Sequence, residues 1–392
     1  MLFHSIARLL PAGLLLGAAA VAAPQDANSV MVLQAGSVHL ANGNVLENGR
    51  VVIRDGRILA VGAEANIPAS AIVIELDGHL SAGMVALADS TGLGRERVDD
   101  TRWLMPDAQI AEGFRGNHPD LARMTAGGVT TVVLTPGPGL LSGGRTAVVK
   151  PAGGKLLKGG AHLHLNFGSS MFTARASAQT QQSRSFFGSP TRYPNGYRTS
   201  YSGALALLED QLVEPQGAFA AAVSGKLPVL LQSATRAEAG RAAAFAGRHG
   251  LQGILAGGSR IGELAESIAK AKLGVMLAPF SPGQSFRLAR SAKQLNAAGV
   301  AFGFALDAPT HAPDSLRMSA AACMREGLAA DAAWRALTQD AANLAGVADR
   351  VGDVAPGRDA DLVLWSGPPT ELTSRVLSVW SDGVLVHSGD DQ

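Results

Sequence analysis

The chain holds one cysteine, Cys323, in 392 residues, so no internal disulfide can form. It also lacks an excess of either charge. With 33 Lys and Arg against 32 Asp and Glu, the formal net charge is +1, which excludes the strong field that gathers nucleic acid or an anionic membrane surface. Long apolar runs are missing except near the start. There "MLFHSIARLLPAGLLLGAAAVAAPQDA" combines Arg8, the apolar stretch Leu9 to Ala20 and the small-residue pattern Ala20-Val21-Ala22. That run is short for a membrane span and is diluted by Gly and Ala, so a cleaved signal peptide over 1–22 is expected. The mature chain would begin near Ala23 in the periplasm or outside the cell, with no membrane attachment. No Cys follows the run to carry a lipid. Cys323 itself sits in "MSAAACMREGL", on an apolar helix face, and reads as a core residue.

What is present is apolar residues and glycine. Hydrophobic residues make up 47% and charged residues 17%, enough to bury a large core, and 47 glycines fit many tight strand–helix turns. From Val30 to Leu80 apolar and polar residues alternate, punctuated by Asn42-Gly43, Asn48-Gly49 and Asp55-Gly56 as turns. The far end repeats this texture, with "DADLVLW" and "VLSVWSDGVLVHSG" around Asp382-Gly383. Strands at both ends predict one small sheet module closed by the two chain termini.

Between them seven apolar runs read as strands: "GMVALADS", "GVTTVVLTP", "AHLHLNFG", "LPVLLQS", "LQGILAGG", "LGVMLAP" and "VAFGFALD". Helical segments such as "RAEAGRAAAFAGRHG" and "RIGELAESIAKAK" separate several of them. Repeated strand–helix units predict a parallel sheet closed as a TIM-like (β/α)8 barrel. An eighth strand is either "RTAVVKP" or hidden near Tyr193 to Tyr201. An open doubly wound sheet is the alternative, though no Gly-rich dinucleotide fingerprint follows the first strand. The expected division is 23–80 and 348–392 for the two halves of a composite β-sandwich and 81–347 for the barrel. Residues 169–200 are polar and follow a strand directly. They are either a cover for the barrel mouth or a surface insertion, and Arg184, Arg192 and Arg198 meet either an anionic substrate or solvent.

"LTQDAANLAGVADRVGDVAPGRDADLVLW", "GGVTTVVLTPGPGLLSGGRTAVVK" and "AGVAFGFALDAP" together resemble the amidohydrolase superfamily, in its imidazolonepropionase-like and dipeptidase-like branch. The resemblance runs from about Val30 to Ser388. It implies a barrel with a two-ended β-sandwich, and hydrolysis of amide C–N bonds by a metal-activated water. It also implies His-x-His at the first barrel strand, single His residues at the fifth and sixth, and Asp at the eighth. Here Ala88 and Ser90 stand at the first two positions, Gln232 at the fifth-strand His and about Gly257 at the sixth. Ser169 stands where related chains carry Glu. Only Asp307 matches. Ala and Gly coordinate nothing, and Ser and Gln are poor ligands for a zinc-like ion.

A catalytically degenerate member is therefore expected, with Asp307 as the surviving catalytic position and Ser90, Gln232, Ser169 and Arg192 lining a pocket. It would bind a small amide-type ligand, or pair as a homo-oligomer or with an intact amidohydrolase, with no cofactor. The alternative is an active hydrolase with a divalent, zinc-like ion rebuilt on His162, His164 and Asp307. On strand "AHLHLNFG" alternation puts His162, His164 and Asn166 on one face, with Leu163 and Leu165 on the other. Asp89 falls between Ala88 and Ser90 and points to a turn or cap. His311 reads as a loop residue of the mouth. Lys150 is either a carboxylated bridging residue or, more simply, in contact with solvent and the neighbouring loop. A Ser90–His164–Asp307 nucleophile system lacks a local Gly-x-Ser-x-Gly motif.

Overall fold

The computed structural model describes residues 30–94, 102–172, 200–280, 286–308 and 310–389. The expected signal segment and Arg184, Arg192 and Arg198 lie outside the described residues. No helix among the described residues is long and apolar enough to cross a membrane.

The alternating N-terminal stretch forms β1 (Met31–His39), β2 (Val45–Arg54), β3 (Arg57–Gly62) and β4 (Ile72–Ala82). Then come β5 (Met84–Asp89), β6 (Val129–Leu134), β7 (Gly144–Arg145), β8 (Ala147–Lys150), β9 (Lys155–Lys158) and β10 (Leu163–Asn166). They are followed by β11 (Val229–Gln232), β12 (Gly253–Gly257), β13 (Leu273–Leu277) and β14 (Phe302–Phe304). The chain ends with β15 (Leu362–Trp365), β16 (Val376–Ser381) and β17 (Val384–Ser388).

The two chain ends join in one seven-stranded sheet of order β17-β16-β15-β4-β1-β2-β3. Leu33, Ile53, Ile58, Leu80, Leu362 and Trp380 share its buried core. Asp55-Gly56 and Asp382-Gly383 turn as expected, all four residues having positive φ. The sheet curls so far that these hairpin turns meet. A Cβ on Gly56 would lie 2.7 Å from the Asp382 carbonyl oxygen, which leaves room only for glycine. Asn48-Gly49 is different: it lies inside β2, where Gly49 faces Ala35 and presses on Val38. The pair that reads as a turn in isolation is a close strand–strand approach.

All seven apolar runs of the middle region are strands, and the rest is a TIM-barrel-like α/β architecture. Its strands fall into two mixed sheets, β14-β13-β12-β11-β10-β7 and β5-β6-β8-β9, rather than one closed parallel ladder. The departure is local. "RTAVVK" is indeed a strand, but it runs antiparallel, β7 beside β10 and β8 beside β6. At the other margin the Leu306 and Asp307 N–H groups both donate to the Ala88 carbonyl, at 3.0 and 3.1 Å, tying the exit of β14 to β5.

Alternation then sorts the side chains. Val85, Leu87, Val133, Val148, Leu230, Ile254 and Met276 form one cluster, floored by Ala341, Ala342 and Ala345 of the helix Gln339–Ala345. Their strand neighbours Met84, Val132, Val149, Val229, Leu255 and Val275 belong to the larger core shared with the helices. Cys323 is buried in that larger core, and burial pushes its thiol up to about 12.

Lys150 corrects its sequence reading. It is wholly buried, with Nζ 2.8 Å from Asp359 Oδ2, 2.8 Å from Asp361 Oδ2 and 2.6 Å from Asp382 Oδ1. Lys155 and Arg350 complete the charge balance, at 2.8 Å from Asp382 and 2.6 Å from Asp359. Burial disfavours the ammonium ion, but the Asp361 charge and the bonds Lys150 donates to three carboxylates outweigh it and hold its pKa above the ordinary value. Burial likewise acts to raise Asp382, yet its bonds to Lys150 and Lys155 prevail and hold it below the ordinary value. Lys150 therefore contributes stability that is complete below its unfolded pKa and lost as pH rises through the higher folded one. For Asp382 it is complete above the unfolded pKa and lost as pH falls through the lower folded one. Lys150→Met leaves three carboxylates facing one another, and we expect it to cost about 3–5 kcal/mol by urea unfolding at neutral pH. A loss below about 1 kcal/mol, the scale of an exposed pair, would show the cluster to be dispensable.

Candidate functional site

The mouth of the barrel-like unit is built from the ends of β5, β6, β10, β11 and β14. At the end of β5 the pairing with β6 shifts register between Ala86 and Asp89. Val85 and Leu87 already face the inner cluster, and after the shift Ala88 packs against that cluster too. Asp89 is turned away. Its carboxylate accepts from the Thr91 N–H at 2.6 Å and from the Ala308 N–H at 2.8 Å, fastening the β5 turn to the segment after β14. Burial raises its pKa more than these bonds lower it. Ser90 Oγ lies 3.5 Å from the Ala308 carbonyl, to which it donates.

On β10, Leu163 and Leu165 enter the helix-side core, while His164 and Asn166 are buried on the opposite face with His162, the residue just before the strand. The two histidines do different things. His162 Nε2 lies 2.9 Å from the Leu344 carbonyl, which can only accept, so this nitrogen donates. Its Nδ1 therefore accepts from the Thr146 hydroxyl at 2.8 Å. Both ring nitrogens are spent, Nε2 on the floor helix and Nδ1 on Thr146 between β7 and β8, and burial lowers the pKa to about 4. His164 Nε2 meets Gln232 Oε1 at 2.7 Å, so Nε2 carries the proton and Nδ1 is a bare acceptor. That Nδ1 is buried without a hydrogen-bond partner and lies against Gly143, where a Cβ would approach it to 3.1 Å. Burial lowers the His164 pKa, against the opposing bond to Gln232.

The remaining expected positions are scattered. Asp307 holds a left-handed backbone, φ 56°, and its side chain is 59% exposed, 4.0 Å from His311 Nδ1. Ser169 is exposed, and its N–H donates to Glu238 Oε1 at 2.9 Å. Gly257 ends β12, and a Cβ there would stand 1.9 Å from Ile261 Cδ1 and 2.8 Å from Ile261 Cβ. The place of a larger side chain is filled by isoleucine. Arg192 lies outside the described residues.

Two residues of the mouth escaped the sequence reading. Glu238 accepts from the Ala234 and Thr235 N–H groups as well as from Ser169, and makes a capping box with Thr235 on the helix Arg236–His249. Burial acts to raise its pKa, but these backbone bonds prevail and lower it. The spacing "TRAE" was the available signal. Gly143, the second, walls a cavity of about 340 Å³ shared with Leu93, Met105, Gln109, Glu112 and Leu140. Its volume lies at the lower end of the small-ligand range, and its lining is mixed polar and apolar. Nothing in "SGG" announces that role.

A zinc-type ion requires imidazoles, thiolates or carboxylates converging on one point. Here His162 has no free nitrogen, Asp89 and Glu238 bind backbone N–H groups, and Asp307 is largely exposed on a turn. Among the described residues no group of three His, Cys, Asp or Glu is placed to hold a metal. The donors at this mouth do not fit such an ion, and the trio His162, His164 and Asp307 is not assembled into a site.

Residues 253–386 match the model of the amidohydrolase family. The imidazolonepropionase of Acidiphilium cryptum (strain JF-5) is 28% identical over 379 residues, covering 82% of this chain and 88% of that protein. Among solved structures, an amidohydrolase from Thermotoga maritima MSB8 superposes with a TM-score of 0.77 at 22% identity, over 91% of this chain and all of the other. A prolidase complexed with N-methylphosphonate-L-proline follows with a TM-score of 0.54 at 18% identity, over 92% of this chain and 100% of that one. These findings support the resemblance to the amidohydrolase superfamily. The similar proteins include an imidazolonepropionase and, by fold, a prolidase.

Because Gln232 is the partner of a fully buried His164 N–H, Gln232→Leu strands that donor. We expect a loss of about 1–3 kcal/mol in urea unfolding. In nitrogen NMR the native His164 should show the Nε2–H tautomer; an Nδ1–H signal would overturn the assignment.

Proposed function

We propose that this protein is a catalytically degenerate amidohydrolase-superfamily member that binds a small amide-type ligand at the mouth and does not hydrolyse it. The observation that carries this reading is how the polar side chains of the mouth are spent. Asp89, Glu238 and His162 are committed to backbone or neighbouring groups and Asp307 is turned outward, which leaves the single bare nitrogen of His164, short of a ligand set for a metal-activated water. On the family's motif, Ala88, Ser90, Gln232 and Gly257 stand at the ligand positions. The Ile261 side chain beside Gly257 supports an old substitution, since the neighbouring core has closed around it. The cavity beside Gly143 is the place for the ligand, and the amide class follows from the family relationship. The N-terminal run supports an exported protein, and pairing with an intact hydrolase fits a subunit that keeps the fold without the metal centre.

The test is binding and turnover measured together on the mature chain, with dipeptides, N-acyl amino acids and cyclic amides, in the presence and absence of added Zn2+. Saturable binding by at least one of these, visible as a rise in Tm, with no product released, is the expected result. Hydrolysis that depends on a divalent ion lost in His164→Ala would overturn it. So would the absence of any binding across the panel.

A further inference from the structure

A groove of about 930 Å³ lies where the sheet made by the two chain ends meets the helices Pro119–Ala126 and Ser315–Arg325. It shares no lining residue with the cavity beside Gly143, so it is a separate place on the molecule. One part of its wall is apolar. Met318 comes from the second helix, Leu364 from β15, and Val376 and Leu377 from β16. Leu372 stands on the rim with 53% of its surface in water.

The rest of the wall is cationic. Arg317, Arg375 and His387 line it, against one carboxylate, Asp314. Arg317 is buried, and its guanidinium donates to the carbonyls of Pro369 at 3.0 Å, Ser374 at 2.8 Å and Glu371, over the face of Trp365. Carbonyls and a ring satisfy N–H groups but do not cancel a charge. Burial holds the Arg317 pKa below its ordinary value, and the Asp314 charge opposes this only in part. Arg375 is exposed, and among the described residues its guanidinium has no ion pair. Two guanidinium groups thus face one carboxylate, and the groove is short of a negative charge.

We propose that this groove binds a single-chain fatty acid, its carboxylate on Arg375 and its hydrocarbon tail along Leu372, Val376, Leu377 and Met318. The planar fork of an arginine matches the two oxygens of a carboxylate. Arg317, with its donors already aimed at carbonyls, adds field rather than contact, and its burial strengthens that field. A small polar anion would answer the charge but leave the apolar wall wet, and a neutral lipid would do the reverse. Leu372 and Arg375 sit on the same short loop, and Arg317 pins that loop through three carbonyls. Head and tail contacts are therefore held at a fixed spacing before the ligand arrives.

The test is calorimetric titration of the full mature chain at neutral pH with dodecanoate, kept below the concentration at which it self-associates. Dodecanol and acetate serve as the uncharged and the tail-less comparisons. One saturable equivalent of dodecanoate with a higher Tm is expected, with each comparison weaker by about tenfold or more. Arg375→Gln and Leu372→Asp, both at exposed positions, should each weaken dodecanoate several-fold while the Tm of the free protein stays within a few degrees. Excess cyclic amide should not displace it, so a failure of amide binding at the mouth leaves this result standing. No saturable equivalent, equal binding of dodecanol, or affinity unmoved by both substitutions overturns the proposal. So does tighter binding of a peptide with a free C-terminal carboxylate. Binding that appears only when residues 390–392 are deleted would give the groove to those acidic residues instead and overturn it too.

Discussion

The structure turns on one buried ammonium group. Lys150 ends the antiparallel strand β8 and is gripped by Asp359 and Asp361, just before β15, and by Asp382 in the hairpin turn that follows β16. Three carboxylates buried or half-buried together repel one another strongly unless a cation sits among them. That constraint fixes the position of the C-terminal sheet strands on the barrel-like unit and sets the curl that brings the turns at Gly56 and Gly383 together. A second joint supports it. The Trp365 ring lies against Gly128, bonds Ser81 through its indole N–H at 2.9 Å and is covered by the Arg317 guanidinium 4.6 Å from its centroid. An aspartate-rich run that resembles a family signature is, physically, the fastening between the two parts.

Strand existence was legible because it rests on local periodicity. All seven apolar runs of the middle region are strands, and the polar face of "AHLHLNFG" is the face opposite its leucines. Partnership was not legible, since it depends on residues far along the chain. Lys150 meets Asp359 and Asp382 at separations of 209 and 232 positions, and His162 meets Leu344 at 182. A lysine after three apolar strand residues reads as a chain end reaching solvent until those carboxylates are in view. Asn48-Gly49 failed for the opposite reason. Its local turn preference is real, but pairing of β2 with β1 overrides it and uses the glycine for closeness.

At the mouth, substitutions could be named from the sequence but their meaning could not. Ala88 and Asp89 depend on a register shift that no alternation rule contains. Gly257 became informative only once Ile261 was seen filling the adjoining space. His162 and His164 look equivalent in the sequence, yet one is locked at both nitrogens and the other keeps a bare acceptor. The strands of the mouth are held by backbone pairing and packing, to which the side chains at their ends contribute little.

The sheet made from both chain ends has a kinetic side. β4 occupies its interior, flanked by β1 and by β15, which lies some 280 residues later. While the chain is being made, β4 therefore has one edge bare until β15 emerges, and loop closure over that distance is slow. An unpaired edge of this kind is a point of attack for other unfinished chains. The late arrival of β15, with Asp359 and Asp361 just ahead of it, seals that edge and neutralises Lys150 in a single event, so this sheet stays open until a strand some 280 residues downstream of β4 has formed.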